Sequence, residues 1–272
     1  MGNAECGAAQ SLIGAAEYRV TMADGADWTL LHYTRTPRGS LLRFHAPLLR
    51  FMQTVYECTG GGYPRLEWIT MPIKPTEPRF TRWFAKHYGG FLRWRLRVEL
   101  DELWLAVAAT QSTAARARSR TPATGATAVA ETAAASPAPP ETPAHEHILG
   151  VVGANYDFSR AGKKRLGGTF HRLLRTAGVE ERPERMGFVE LLAVLPQHTR
   201  RGIGAALLDA VLAALRGLGK TPYAVTFPGL DAALRLYEKY DAEFYEVRGF
   251  KWSPADKRGL DYIVVRFPTA QY

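Results

Sequence analysis

The chain has 272 residues, 46% of them hydrophobic, and a formal net charge of +9. That is enough apolar material for a large folded domain and too much for a disordered chain. Cys6 and Cys58 are the only cysteines, which excludes a disulfide framework and a cysteine-based metal site. No apolar run of about 18 residues offers a membrane span. The basic surplus fits either a nucleic-acid partner or a polyanionic ligand.

In chain order, residues 1–16 open MGNAECGAAQ, lack the apolar core of a signal peptide and read as a disordered leader. Gly2 and Cys6 could carry a double lipid anchor, but Cys6 stands where the myristoylation pattern asks for Ser or Thr. The leader is the better reading, and a cytoplasmic or nuclear protein is expected. Tyr18–Met22 is read as a first strand and Leu41–Tyr56, rich in Leu and Phe, as a helix. Glu67–Pro72 is read as an extra strand, and Thr81–Tyr88 as a short helix ended by Gly89-Gly90. Arg93-Trp94-Arg95-Leu96-Arg97 is the densest aromatic–basic patch. It reads as the edge of an element with one solvated face rather than as a nucleic-acid site.

The segment Ala109–Ala144 stands apart. Of its 36 residues, 28 are Ala, Thr, Ser or Pro, and none is Leu, Ile, Phe, Trp or Tyr. It cannot bury enough apolar surface to offset its ordering entropy, so a flexible loop is expected. Leu103–Ala108 and Ile148–Tyr156 on either side are strand-like. Ser159–Arg185, with Lys163, Lys164, Arg165 and then Phe170–Leu174, is read as a loop and helix.

The most informative stretch is Val189–Leu208, VELLAVLPQHTRRGIGAALL. Phe188–Leu195 is too apolar for a strand with one wet face and is read as central in a covered sheet. A helix follows from about Gly204 to Leu218, with Leu207, Val211, Ala214 and Leu218 on one stripe and Gly219 as its stop. The N–H groups of a helix start attract phosphate. Gly202 and Gly204 let the backbone approach a bulky anion, and Arg200 and Arg201 add charge. The loop is neither a Walker-type loop nor a Gly-x-Gly-x-x-Gly fingerprint, because Leu207 occupies the third glycine's place.

Strand, Pro, polar loop, Arg-Arg-Gly-x-Gly and amphipathic helix resemble the acetyl-CoA-binding motif of the GNAT superfamily of N-acetyltransferases. The family pattern Gln/Arg-x-x-Gly-x-Gly/Ala falls on Thr199-Arg200-Arg201-Gly202-Ile203-Gly204, with Thr199 the one departure. About 35 residues on, Ala233-Leu234-Arg235-Leu236-Tyr237-Glu238-Lys239 resembles the family's Ala-x-x-Leu-Tyr-Glu-Lys helix. The family's following Gly-Phe is Asp241-Ala242 here, and the usual Asn seven residues before the Tyr is Leu230. The likeness is good over 188–265, loose over 145–187, and confined to the order of elements before that.

The resemblance implies a mixed α/β (α+β) fold: a mostly antiparallel central sheet flanked by helices. Residues 17–272 would form one N-acetyltransferase domain, with Ala109–Ala144 inserted into a hairpin. It implies acetyl-CoA as co-substrate, no metal, and an amine acceptor, either a small molecule or a peptide. The pyrophosphate would lie on Thr199, Arg200, Arg201, Gly202, Ile203, Gly204 and Ala205, and the oxyanion near the backbone N–H of Ala193 or Val194. Tyr237 would protonate the departing thiolate. For the base, Glu190 is the only carboxylate in an otherwise apolar strand, on the pleat face of Phe188 and Leu192. Desolvation would raise its pKa unless it is paired. His198 is the rival base. Trp68, Trp83, Phe84, His87, Tyr88, Phe91 and Trp94 would suit an acceptor pocket for a hydrophobic amine, or equally a core. The alternatives are a CoA-binding module without catalysis, motivated by Thr199 and Asp241-Ala242, and a nucleic-acid-binding protein, motivated by charge.

Overall fold

Two runs of apolar residues set the middle of the fold. They form β3 (Glu102–Ala108) and β4 (Ile148–Asn155), antiparallel neighbours in which nearly every residue is buried. Unbroken burial means that both faces of the sheet are covered. The computed structural model describes residues 15–21, 27–35, 41–59, 74–108, 147–160, 162–252 and 259–268. Residues 1–14 of the expected leader, the strand expected at Glu67–Pro72, Trp68 and Ala109–Ala144 lie outside them.

The other strands are β1 (Ala15–Thr21), β2 (Asp27–Thr34), β5 (Met186–Val194), β6 (Thr221–Thr226), β7 (Glu243–Phe250) and β8 (Leu260–Arg266). Among the described residues they join in one eight-stranded sheet of order β1-β2-β3-β4-β5-β6-β8-β7. Every pair is antiparallel except β5 with β6. The mostly antiparallel mixed sheet flanked by helices is the fold expected. β2, with polar Asp27, Thr29, His32 and Thr34 between its apolar residues, was not foreseen.

The period-two alternation of the strands divides the helices between the faces. Leu103, Leu105 and Val151 pack on α1 (His45–Cys58) and α2 (Phe80–Trp94) through Phe51, Phe84, Tyr88 and Leu92. Trp104, Val152 and Val189 face the other way, onto Leu207, Val211 and Leu215 of α4 (Ile203–Gly217) and Tyr237 of α5 (Asp231–Glu238). Phe188, one residue from Val189, therefore looks toward the α1–α2 side, where it meets Phe170 and Leu173 of α3 (Lys164–Thr176). α4 lies close on the sheet because β4 carries Gly150, where a Cβ would stand 2.9 Å from Leu207 and 3.1 Å from Ile203.

α2 does not stop at Gly89-Gly90 as expected. It runs to Trp94 and tightens into a π-helical turn over Arg95–Glu99. The reason is packing. A Cβ at Gly89 would press on Leu49 of α1 at 3.3 Å, and the Gly89 carbonyl lies 2.8 Å from His45 Nε2. The glycine serves helix–helix contact, which outweighs its modest cost inside a helix.

An ionic knot binds the sheet end nearest this turn. Asp101 Oδ2 accepts from the Tyr156 N–H (2.7 Å), the Asp157 N–H (2.8 Å) and Lys163 Nζ (2.7 Å). Arg160 pairs with its other oxygen. Lys163 is only 1% exposed. Burial lowers its pKa to about 8, with Asp101 opposing the shift. Glu102 accepts the Tyr156 hydroxyl at 2.7 Å and lies 3.0 Å from His32 Nε2. Arg35 donates to the carbonyls of Leu100 (2.6 Å) and Leu96 (2.7 Å), tying the π-helical turn to β2.

Candidate functional site

β5 is ladder-bonded to β6 only from Met186–Thr221 to Val189–Ala224. Glu190–Val194 of β5 and the last residues of β6 therefore have no ladder between them, although β5 continues beside β4. At the point of divergence the register with β4 slips between Val151 and Gly153, and Leu191 takes a positive φ of 57°. This is a bulge, which turns the strand by one residue. Leu191, Ala193 and Leu195 join the α1–α2 cluster, while Leu192 and Val194 pack toward α4. Glu190, paired across to Gly153, stays on the Phe188 face. The expected grouping of Glu190 with Leu192 is thus corrected: the bulge puts Leu192 on the opposite side.

Beyond β5 the chain makes a single 3-10 turn, Pro196–His198, in which the Thr199 hydroxyl donates back to the Pro196 carbonyl at 2.8 Å. Arg200 has φ +62° and Gly202 φ +78°, and Ile203 begins α4. No side chain caps this helix start and its first turn holds no acid. Its first N–H groups have no intrahelical partner by construction, and they carry the positive end of the helix dipole. Arg200 and Arg201 are exposed beside them. The two glycines do different work. Gly202 takes a left-handed conformation that a side chain strains. A Cβ at Gly204 would instead point inward, 3.5 Å from Leu236 and 3.6 Å from Val194. Both are ordinary contact distances, so an alanine would fit at 204, whereas Gly202 is needed for its backbone.

Tyr237 lies on α5, 5% exposed, edge-on to Phe267 at 5.4 Å and in the same cluster as α4. One turn on, the Tyr240 hydroxyl donates to the Ala205 carbonyl at 3.1 Å, pinning the end of α5 to the first turn of α4. Burial and then Asp209 raise the pKa of that hydroxyl. Asp241, where the family pattern has Gly, has φ +52°. The departure keeps the backbone shape, since Asp tolerates the left-handed region better than most residues.

Glu190 has a partner. The Arg95 guanidinium donates to Glu190 through Nη2, and its Nε lies 2.5 Å from Glu99 Oε2. All three side chains are 14% exposed or less. Burial alone would lower the Arg95 pKa, but Glu190 and then Glu99 outweigh it and hold it raised. Burial pushes the Glu99 carboxyl up to about 7, against the pull of Arg95. Glu190 is therefore paired, with Arg95. The carboxyl that burial makes avid for a proton is its neighbour on the same guanidinium. His198, half-buried in the turn, has its pKa lowered by burial and then by Arg201.

The sequence reading missed Arg95, Glu99 and Tyr240. The Arg95–Glu99 spacing of four was visible; the contact to Glu190, 95 residues away, was not. Trp83, Phe84 and Tyr88 are 9%, 0% and 1% exposed within the core cluster. Of the two readings those aromatics left open, the core is the one realised. His87 lies against Trp83, ring centroids 5.4 Å apart, on α2.

Residues 141–241 match the model of the acetyltransferase (GNAT) family. That stretch takes in β4, α3, β5, the Arg-Arg-Gly-x-Gly loop, α4, β6 and α5, so a GNAT acetyltransferase domain is present there. Among solved structures, a candidate acetyltransferase from Pyrococcus horikoshii is similar, at 22% identity over 95% of this chain and 99% of that one, TM-score 0.46. The GNAT domain of S. lividans PAT follows at 12% identity over 92% and 97%, TM-score 0.42. Arabidopsis thaliana NAA60 bound to a bisubstrate analogue matches at 16% identity over 66% and 81%, TM-score 0.37. No curated protein matches the sequence. The fold is one that supports acetyl transfer from acetyl-CoA. Among the described residues, no helix is long and apolar enough to cross a membrane.

Proposed function

We propose that this protein is an N-acetyltransferase that moves an acetyl group from acetyl-CoA directly to an amine of a small molecule or peptide. The observation that carries the reading is the uncapped, acid-free start of α4, presented by a loop with two left-handed residues at the end of the diverging β5. Main-chain N–H groups from Arg200 to Ala205, with the Arg200 and Arg201 side chains, suit a pyrophosphate. The Leu195 N–H donates to Leu149 on the β4 side at 2.9 Å. Strand alternation turns the Val194 N–H to the opposite edge, where β6 has departed, and it is the donor we assign to the oxyanion. Ala193 flanks it.

The amine nitrogen would attack the thioester carbon, the C–S bond would break, and the thiolate would take a proton from Tyr237. The proton lost by the amine would pass to the carboxylate pair Glu190–Glu99, which Arg95 holds in place. Calorimetry with acetyl-CoA tests the first half. The wild-type chain should bind, and Gly202→Val should weaken binding about tenfold or more, the scale of backbone strain at a left-handed site. Unchanged affinity in a folded variant, or no binding by the wild type, overturns the assignment. Release of CoA thiol with a panel of amines separates an enzyme from a CoA-binding module without catalysis.

A further inference from the structure

The helix α2 gathers basic residues that look dispersed in the sequence. Arg79, Arg82, Lys86, Arg93 and Arg97 recur at spacings of three, four, seven and four, with Gly90 completing the rhythm. All five side chains are exposed on the outer face of α2 and its π-helical turn. Arg95, in the middle of the sequence patch, turns inward to Glu190 and Glu99. The stripe is thus built by the helix, with Arg93 and Arg97 separated from the residue between them. It extends about 27 Å at the usual rise per residue.

Among the described residues, Glu77 is the one carboxylate paired with these cations. Between Pro78 and Val98 the chain has no Asp or Glu at all. Arg79 pairs loosely with Glu77 at 3.4 Å, and among the described residues no ion pair involves Arg82, Lys86, Arg93 or Arg97. Trp94, 39% exposed, stands beside Arg93 at the same end. The apolar side of α2 is spent on the core through Phe80, Phe84, Tyr88 and Leu92. This differs from α3, the other basic helix, where Arg172 is held by the Lys251 carbonyl and Glu180, Glu181 and Glu184 follow closely in the chain.

We infer that the outer face of α2 is a docking surface for the phosphate backbone of a nucleic acid. Cations in a line, five to six ångströms between helical neighbours with one gap of about 10 Å across Gly90, four of them Arg, match a run of phosphates, and Arg offers a planar fork for phosphate oxygens. An exposed Trp at one end gives a base something to stack on. A membrane surface fits less well, because an apolar face inserted beside the cations strengthens adsorption, and α2 has buried its own. A net charge of +9 adds long-range attraction of the same sign. The binding would read backbone rather than sequence. It does not depend on the acetyl-CoA loop, which lies at the start of α4 on the opposite face of the sheet.

The test is fluorescence anisotropy of the full chain with a labelled 20-nucleotide single strand of mixed sequence, as DNA and as RNA, from 50 to 200 mM salt. Five phosphate contacts predict a log–log slope near −3.5, so affinity should fall about a hundredfold over that range. The triple variant Arg82→Glu, Lys86→Glu, Arg93→Glu should bind at least tenfold more weakly at low salt and with a shallower slope. The equally exposed triple variant Lys164→Glu, Arg165→Glu, Arg175→Glu on α3 should bind within about threefold of wild type. Trp94→Ala should weaken single-strand binding while sparing the salt slope. Melting temperatures of the two triple variants should match wild type, since all six of their side chains are exposed. The inference is overturned if the wild type shows no salt-dependent binding, or if the two triple variants lose affinity equally. It is also overturned if phosphatidylserine vesicles or polyglutamate bind the α2 stripe more tightly than the oligonucleotide does.

Discussion

The two halves of β5 make opposite kinds of site. After the Leu191 bulge, everything proposed to hold acetyl-CoA is main chain or exposed cation: Ala193, Val194 and the turn from Thr199 to Ala205. Before the bulge, Glu190 sits in a buried web of side chains with Arg95 and Glu99, and the Asp101–Lys163 knot lies near the same sheet end. The first site is short-range and is made by the direction of the chain. The second is closed by a contact between residues 95 positions apart, and the knot beside it by one spanning 62. A backbone site tolerates most side-chain changes that spare its φ angles. A buried ionic web fails when one partner is removed, because the other charge is left desolvated.

The largest effect should come from the Asp101–Lys163 knot. Asp101→Asn leaves Lys163 and Arg160 facing a neutral amide, with Lys163 almost wholly out of water. Removing one partner of such a buried group costs about 3–5 kcal/mol. Urea unfolding measures it, and a loss under about 1 kcal/mol would show that the knot is relaxed by solvent. Acetyl-CoA affinity of the folded fraction should stay near wild type. If it collapses as well, the knot and the acetyl-CoA loop are not independent.

Next in size is the chemical step. Tyr237→Phe removes only a hydroxyl from a side chain whose ring is packed edge-on to Phe267. Acetyl-CoA binding should survive within about twofold, while kcat falls by roughly a hundredfold with any amine that proves active, the usual scale for one proton-transfer group. A variant with wild-type kcat would place the acid elsewhere and leave Tyr237 a core residue.

How much of this was legible follows the same division. The Gly-x-Gly turn, β5, α4 and the Tyr-bearing α5 are local patterns: alternation, helical spacing and glycine where a side chain strains. They were found within a few residues of their true bounds. The Leu191 bulge was not legible, since nothing in a Leu-Leu pair marks a positive φ; it is imposed by the register against β4. The run of α2 through Gly89-Gly90 was hidden for a related reason. The breaker signal is local, but the contact with Leu49 that overrides it is tertiary. Glu190 was noticed because a charge in an apolar strand is conspicuous, yet its partner lay on a helix whose length had been misjudged. Arg93 to Arg97 shows the converse: a sequence patch that folding splits, Arg95 and Leu96 inward and Arg93, Trp94 and Arg97 outward.

The finest test of the comparison is a slope rather than a loss. Burial raises the Glu99 carboxyl from an ordinary 4.5 to about 7. Below pH 4.5 the group holds its proton in both folded and unfolded chains, and the raised value has no cost. As pH climbs from about 4.5 to 7 the unfolded chain releases that proton first, so folding stability declines across this window and levels off above it. Glu99→Gln carries no titrating group and should lack that decline, although it also surrenders one of the two carboxylates on Arg95. The quantity to compare is the pH dependence of the unfolding free energy from pH 4.5 to 7.5, wild type minus variant, which cancels the other carboxylates. A difference that changes in the window and is flat above pH 7 supports a shared proton on the Glu190–Arg95–Glu99 web. Parallel curves would mean that Glu99 ionises as an ordinary carboxylate beside Arg95, and Glu190 or His198 would then have to receive the amine proton alone.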